Sequence, residues 1–115
     1  MAYSKEYKQY IDEQLTLVED INSKKMFGGV GYFKDGVMFG GIMDGLFHLK
    51  TDESNQAAFI EHGMKPWGMG NKIPKKPYYE VPEAIIADRE ELKGWVEKAY
   101  LVAVKAKKKK NHQNK

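Results

Sequence analysis

The chain has 115 residues, of which 42% are hydrophobic, and its formal net charge is +3. This length suits one small domain and excludes two ordinary ones, and the hydrophobic share excludes disorder over most of the chain. Cysteine is absent, which excludes disulfides, thiolate metal sites and cysteine nucleophiles and fits a reducing cytoplasm.

The first element is predicted to be an amphipathic helix. Between Tyr3 and Ile21 the apolar residues recur at spacings of three and four, which places them on one face of a helix. Ser4 is suited to cap it, because a serine hydroxyl accepts a hydrogen bond from a free backbone N–H of the first turn. We expect the helix to end at Asn22-Ser23.

The next stretch is predicted to be a three-stranded antiparallel meander. Asp35-Gly36 and Asp44-Gly45 separate short apolar pieces, and Asp-Gly is a strong hairpin signal because glycine accepts the positive φ of the favoured two-residue turns. The predicted strands are Lys25–Phe33, Val37–Met43 and Leu46–Lys50.

Several glycines fall inside these predicted strands: Gly28, Gly29, Gly31, Gly40 and Gly41. Glycine inside a strand marks a bulge or a close approach of backbone. A phosphate-binding loop is the alternative, but such a loop leads into a helix N-terminus, and here another strand follows. We therefore interpret the glycines as shaping a curved sheet against which a helix packs closely.

A second helix is predicted to begin near Thr51–Ser54, capped by Thr51 or Asp52, and to end at Gly63. Residues 64–77 hold three of the four prolines and are predicted to be irregular. Residues 78–81 form a predicted strand, and residues 83–87 a predicted helical turn. Asp88 and Glu91 form a capping box that begins a last helix, whose apolar spacing stops at Lys105.

An ordered series of motifs resembles the N-terminal domain of the TfoX/Sxy family. The resemblance covers roughly residues 5–103, and its motifs are Lys25-Met26-Phe27-Gly28-Gly29, Asp35-Gly36-Val37-Met38-Phe39, Asp44-Gly45, Leu49-Lys50, Gly63-Met64, Pro66-Trp67, Tyr78-Tyr79-Glu80-Val81-Pro82, Leu92 and Trp95.

This resemblance implies an α+β domain in which N-terminal and C-terminal helices pack on a curved antiparallel sheet, similar to secretion-chaperone-like folds. The sheet would hold the three-stranded meander and one or two later strands. The resemblance also implies a link to bacterial transcription and competence. Full-length regulators of this family carry a C-terminal domain with helix-hairpin-helix-like character, and we expect a stand-alone form without it. The family supplies no catalytic residues.

The residues themselves indicate no chemistry. The histidines His48, His62 and His112 do not follow a metal-ligand spacing, and no cysteine can complete a zinc site. Ser4 and Ser54 are explained by helix starts, and no serine lies in a nucleophile elbow. We therefore predict no catalytic residues, no metal site and no cofactor, and a protein that is not an enzyme.

One predicted loop has the composition of a binding surface. Tryptophan and methionine bordered by lysine resemble an apolar anchor with a polar rim. The candidate partner-binding residues are Met64, Lys65, Trp67, Met69, Lys72, Lys75 and Lys76. The alternative is that Trp67 fills one end of the core while the lysines solvate the loop.

The positive charge resides in the last residues. Residues 105–115 contain six lysines and no acid, which leaves 13 basic and 16 acidic residues in the remainder. We therefore divide the chain into a domain over residues 1–104 and a basic tail over residues 105–115, predicted to be disordered. The tail either solubilises the domain or contacts nucleic acid through Lys105, Lys107, Lys108, Lys109 and Lys110.

Three functions follow from the sequence. The first is a non-enzymatic regulatory or adaptor domain that acts through protein contacts. The second is a weak, salt-sensitive association with nucleic acid through the tail, and the third is a small-ligand binder or enzyme with a deep pocket. A homodimer through an exposed strand edge stays open. No apolar stretch approaches the ~20 residues of a membrane span and no signal peptide is visible, so we expect a cytoplasmic protein without membrane contact.

Overall fold

The structure is a computed structural model, and it describes residues 3–26, 28–66 and 78–113, with the backbone alone from 109 onward. The elements are α1 (Lys5–Gln14), β1 (Ile21–Met26), β2 (Gly29–Lys34), β3 (Val37–Met43), β4 (Leu46–Lys50), α2 (Gln56–Glu61), β5 (Tyr78–Glu80), α3 (Glu83–Ala87) and α4 (Arg89–Gln113).

The strands form an open antiparallel sheet in the order β1-β2-β3-β4-β5. This arrangement confirms the predicted α+β class with helices packed on an antiparallel sheet. The meander differs from the prediction in having four strands, because the predicted strand Lys25–Phe33 is divided between β1 and β2. The two halves pair with each other, and Met26 lies opposite Gly29.

The two Asp-Gly turns are confirmed. Asp35 and Gly36 have φ values of 49° and 78°, and Asp44 and Gly45 have φ values of 54° and 81°. Positive φ at both central residues defines the two-residue turn that matches the twist of the flanking strands. Each turn therefore fixes the register of its hairpin.

The first helix is shorter than predicted. Ser4 caps α1, since its hydroxyl accepts a 2.9 Å hydrogen bond from the Tyr7 N–H, but α1 ends at Gln14. The Thr16 hydroxyl donates to the Glu13 carbonyl, and a tight turn follows in which the Val18 N–H donates to the Leu15 carbonyl. Leu15 and Val18 still reach the core, so their apolar spacing continues after the helix has ended.

The core lies between one face of the sheet and α4. From the sheet come Val30, Tyr32, Phe39, Ile42, Phe47 and Leu49, and from α4 come Leu92, Val96 and Ala99. The β2–β3 register shifts between Tyr32 and Phe33, and this bulge adds Phe39 to the buried face beside Gly40. Gln14 connects α1 to α3, because its buried side-chain amide donates to the carbonyls of Ile86 and Ala87.

The C-terminus of α2 follows the prediction and its N-terminus does not. Gly63 has a φ of 74°, its N–H donates to Ile60, and the Met64 N–H donates to Phe59, which is the Schellman arrangement. At the other end Asn55 occupies the N-cap position. Asp52 instead accepts hydrogen bonds from Ser54 in the preceding turn.

The last helix begins as predicted and continues further. The Asp88 carboxylate accepts from the N–H groups of Glu90 and Glu91, while the Asp88 N–H donates to the Ile85 carbonyl rather than to Glu91. The helix runs to Gln113, through the segment that the sequence assigns to a disordered tail. The apolar pattern stops at Lys105, but lysine and alanine are good helix formers.

Candidate interaction surfaces

The sheet has a second face, which we call the sheet face, opposite the buried one. Its residues alternate along the strands with the core residues Val30, Tyr32, Ile42 and Phe47. Four of them are half-buried apolar residues: Met26, Phe33, Met38 and Met43. The helices α1, α2, α3 and α4 contribute to the core on the other side.

Gly31 and Gly41 pair with each other in the middle of the sheet face. A Cβ atom on Gly31 would lie 3.0 Å from the Met26 sulfur and 3.2 Å from the Phe33 ring. A Cβ atom on Gly41 would lie 2.4 Å from the Val30 carbonyl oxygen and 3.3 Å from the Met43 methyl group. Apolar side chains and backbone therefore occupy the space that a side chain here would need.

A close approach of backbone also occurs at Gly40, on the buried face of the sheet. A Cβ atom on Gly40 would lie 2.5 Å from the His48 carbonyl oxygen, so the nearest atoms belong to the neighbouring strand β4. The glycines shape the sheet as predicted: the missing side chain at Gly40 lets β4 come close, on the face against which α4 packs.

The edge of the sheet beside this face is basic. β1 is the first strand of the sheet order, and its central residues, including Lys24 and Lys25, are exposed. Lys24 lies opposite Gly31, at the border of the sheet face. Lysine on an edge strand discourages pairing with a second copy of the same strand.

One buried titratable group lies in the same row of the sheet. His48 pairs with Gly41 on one side and with Glu80 on the other, and only 3% of its surface is exposed. Its Nδ1 lies 2.8 Å from the Leu46 carbonyl oxygen. Burial lowers the pKa of His48, although the Leu46 carbonyl and the charges of Glu80 and Asp44 act in the opposite direction.

A second surface runs along the side of α4 that points away from the core, and we call it the α4 face. At about 100° per residue, one side of this helix carries the exposed residues Glu90, Gly94, Glu97, Lys98, Leu101 and Lys105. Leu101 is 65% exposed, more than any other large apolar residue in the described part of the chain. Ionisable residues therefore surround an apolar centre.

A cleft of about 340 Å³ lies beside the α4 face, between α4 and the start of α2. Trp95 and Phe59 line it and meet edge to face with their ring centroids 4.8 Å apart. Ser54 and Ala58 form the α2 side, and Gly94 forms part of the α4 side. Because Gly94 has no side chain, this part of the cleft opens directly onto the helix backbone.

The cleft has ionisable groups along one side. Glu90, Glu91 and Lys98 line it along α4. Among the residues that the structure describes, no group of three or more His, Cys, Asp or Glu side chains is placed to hold a metal ion. The cleft therefore combines two aromatic side chains with charged groups along its α4 side.

Most of the candidate loop lies outside the described residues, namely Trp67, Met69, Lys72, Lys75 and Lys76. Met64 is half-buried and packs against the core, so it contributes to stability as well as to any surface. Lys65 is exposed, and its carbonyl oxygen accepts from the Glu80 N–H. The loop as a partner-binding surface stays a prediction.

The candidate nucleic-acid residues lie on the last turns of α4. Lys105, Lys107 and Lys108 are exposed, while the side chains of Lys109 and Lys110 lie outside the described residues. The helix gives the first three fixed positions, and at about 100° per residue Lys105 and Lys108 lie on the side of the α4 face. A contact with nucleic acid stays a prediction.

Sequence reasoning did not identify the sheet face or the α4 face. The sequence alone does not show that Met26 and the buried Val30 lie on opposite faces of the sheet, because this depends on the pairing of β1 with β2. For the α4 face a signal was available, because Leu101 lies outside the apolar period of Leu92, Val96, Ala99 and Ala103. An apolar residue on the polar side of a helix was the missed clue.

One family match relates the chain to known proteins. The family model described as the TfoX N-terminal domain matches residues 13–103, which include the whole sheet, α2, α3 and the N-terminal part of α4. No curated protein matches the chain. In the described part of the chain, no helix combines the length and the hydropathy that a membrane span needs.

Proposed function

This chain belongs to the TfoX N-terminal domain family, and from that premise we propose that it is a non-enzymatic regulatory or adaptor domain acting through protein contacts. The process that it serves, in this proposal, is the bacterial control of transcription or of DNA uptake, carried out in the cytoplasm. The single observation that supports protein contact most directly is the methionine-lined sheet face.

The sheet face has the chemistry of an adaptable docking surface. Met26, Met38 and Met43 are half-buried and lie on the side of the sheet away from α4. Methionine has three rotatable bonds and a polarizable sulfur, so it adjusts to partners of different shape. Met26, Phe33 and Met43 reach over Gly31 and Gly41, so flexible side chains cover the centre of the surface.

The border of the sheet face indicates the chemistry of the partner. Lys24 is exposed on the edge strand β1 and lies opposite Gly31 of the sheet face. Complementary charge at the rim of an interface steers association and fixes its register. The partner that suits this surface is a protein segment with apolar residues flanked by aspartate or glutamate.

The proposal is tested by capturing partners from the native cell with wild-type chain and with a Met26→Ser, Met43→Ser double variant. Ile60→Ser is the matched control, because Ile60 is also apolar, is 56% exposed and lies on α2. We expect at least one protein to be captured by the wild type and the control and lost with the double variant.

A second readout connects the contact to regulation. Cells that carry the double variant in place of the wild type are expected to show the transcript changes of cells that lack the chain, and the Ile60→Ser cells are not. If no captured protein depends on the sheet face and transcripts match the wild type, the proposed function is wrong.

A further inference from the structure

The α4 face contains Gly94, a glycine that the contacts within the fold do not require. Gly94 lies inside a helix of 25 residues, where glycine is about 1 kcal/mol less favourable than alanine. A Cβ atom at Gly94 would meet nothing within 4 Å. The domain itself therefore has room for a side chain at this position and does not use it.

Leu101 lies on the same side of α4, seven residues or about two helical turns from Gly94. Its side chain is 65% exposed, although it lies between the buried residues Ala99 and Val102 along the chain. A protruding apolar side chain and an open hollow thus stand on one helix face, at a separation of roughly 10 Å along the axis.

The charges of the α4 face are distributed unequally along the helix. Glu90 and Glu97 lie in its first part, and Lys98 and Lys105 lie in its later part. A second copy of the helix running in the opposite direction would present its basic part to the acidic part of the first. The α4 face is therefore complementary to itself in the antiparallel orientation only.

We propose that the chain forms a homodimer in which α4 packs antiparallel on α4 of a second copy. Leu101 of each copy enters the hollow above Gly94 of the other, where the adjoining cleft of about 340 Å³ gives it room. This register also places Lys105 level with Glu90 of the other copy. Each contact occurs twice, as the two-fold symmetry of an isologous interface requires.

The second copy is the occupant that the observations favour because one sequence supplies both the protruding residue and the hollow. An unrelated partner would have to reproduce the leucine, the spacing and the reversed order of charges. The inference concerns a surface distinct from the sheet face and does not depend on the proposed function. Its failure would leave the sheet-face experiment unaffected.

The first test is sedimentation velocity of the full chain from about 5 to 500 μM, since one helix pair is a small interface of the weak class. We expect a concentration-dependent monomer–dimer equilibrium. Leu101→Ser is expected to raise the dissociation constant about tenfold or more. Ile60→Ser, which removes a similarly exposed apolar group outside the α4 face, is expected to leave it unchanged.

The second test addresses the register through charge reversal. Glu90→Lys and Lys105→Glu are each expected to raise the dissociation constant about three- to tenfold, because each breaks two symmetry-related pairs. The double variant restores both pairs with reversed sign and is expected to return within about threefold of the wild type. Raising the salt concentration is expected to reduce all these differences.

Three outcomes would overturn the proposal. The first is a wild-type chain that remains monomeric over the whole concentration range. The second is a dimer that Leu101→Ser leaves as stable as the wild type. The third is a charge-reversed double variant that dissociates as readily as either single variant, which would exclude the antiparallel register.

Discussion

Gly41 in the sheet and Gly94 in α4 show two different reasons for glycine in one small domain. At Gly41 a Cβ atom would lie 2.4 Å from the Val30 carbonyl oxygen, whereas at Gly94 it would meet nothing within 4 Å. The neighbouring strands therefore require the first glycine. The second lies in a helix that would be more stable with alanine.

The comparison separates the demands of folding from those of association. Gly41 is explained entirely by contacts inside the domain, since backbone of β2 occupies the position of its missing side chain. Gly94 has no such explanation in the isolated domain. The glycine is favourable only if a group outside the domain, such as the Leu101 side chain of a second copy, packs into the hollow and offsets the lower stability of the helix.

The largest expected effect comes from Gly41→Ala. The added methyl group forces β2 and β3 apart, and we expect a loss of about 3 kcal/mol or more in the free energy of unfolding. Urea unfolding followed by circular dichroism measures it. A variant that unfolds at the wild-type urea concentration would show that the strands accommodate the methyl group and do not require glycine at position 41.

Gly94→Ala makes the same chemical change with the opposite sign. We expect the monomer to gain about 1 kcal/mol in the free energy of unfolding, measured in urea at a concentration low enough to keep the chain monomeric. The same variant should dimerise more weakly, because the methyl group fills part of the hollow. A loss of monomer stability would show that the fold does require this glycine.

His48, opposite Gly41, is expected to make the stability of the domain depend on pH. Because burial lowers its pKa below the ordinary value of 6.5, the folded protein binds fewer protons than the unfolded chain in this range. Its contribution to stability is therefore complete above pH ~6.5 and falls as the pH decreases toward the folded-state pKa.

Urea unfolding between pH 7.5 and pH 5 measures this dependence. His48→Gln should show a shallower loss of stability on acidification than the wild type, because glutamine does not titrate. His62→Gln is the control, since His62 is exposed. Equal pH dependence of the wild type and His48→Gln would exclude His48 as the source.

The smallest expected effect is that of Leu101→Ser on the monomer. An exposed side chain contributes little to folding, and we expect the free energy of unfolding to change by less than about 0.5 kcal/mol. Thermal unfolding of the dilute protein checks this. A loss above about 1.5 kcal/mol in the free energy of unfolding would show that Leu101 stabilises the folded domain and is not a residue of association alone.

Short-range features of the fold were predicted well. Asp35-Gly36 and Asp44-Gly45 form the expected turns because the residues that accept positive φ are few. Ser4, Gly63 and Asp88 occupy the helix ends at which they were placed, because each satisfies backbone groups within a few residues of itself.

Boundaries and surfaces were predicted less well. Ile21 was assigned to the first helix and lies in β1, since a partner strand decided its conformation. The division of Lys25–Phe33 into two strands likewise required the pairing of Met26 with Gly29. Of the candidate loop, only Met64 and Lys65 lie among the described residues, so the structure leaves that part of the sequence analysis as a prediction.

The helix caps, the tight turns, the α+β class and the family resemblance follow from the amino-acid sequence alone, because they depend on local backbone chemistry and on patterns within a few residues. Three-dimensional contacts, in contrast, establish which strands lie side by side, which glycines touch a neighbouring backbone, and that Gly94 and Leu101 share an exposed helix face. Those properties depend on which atoms lie next to each other in space.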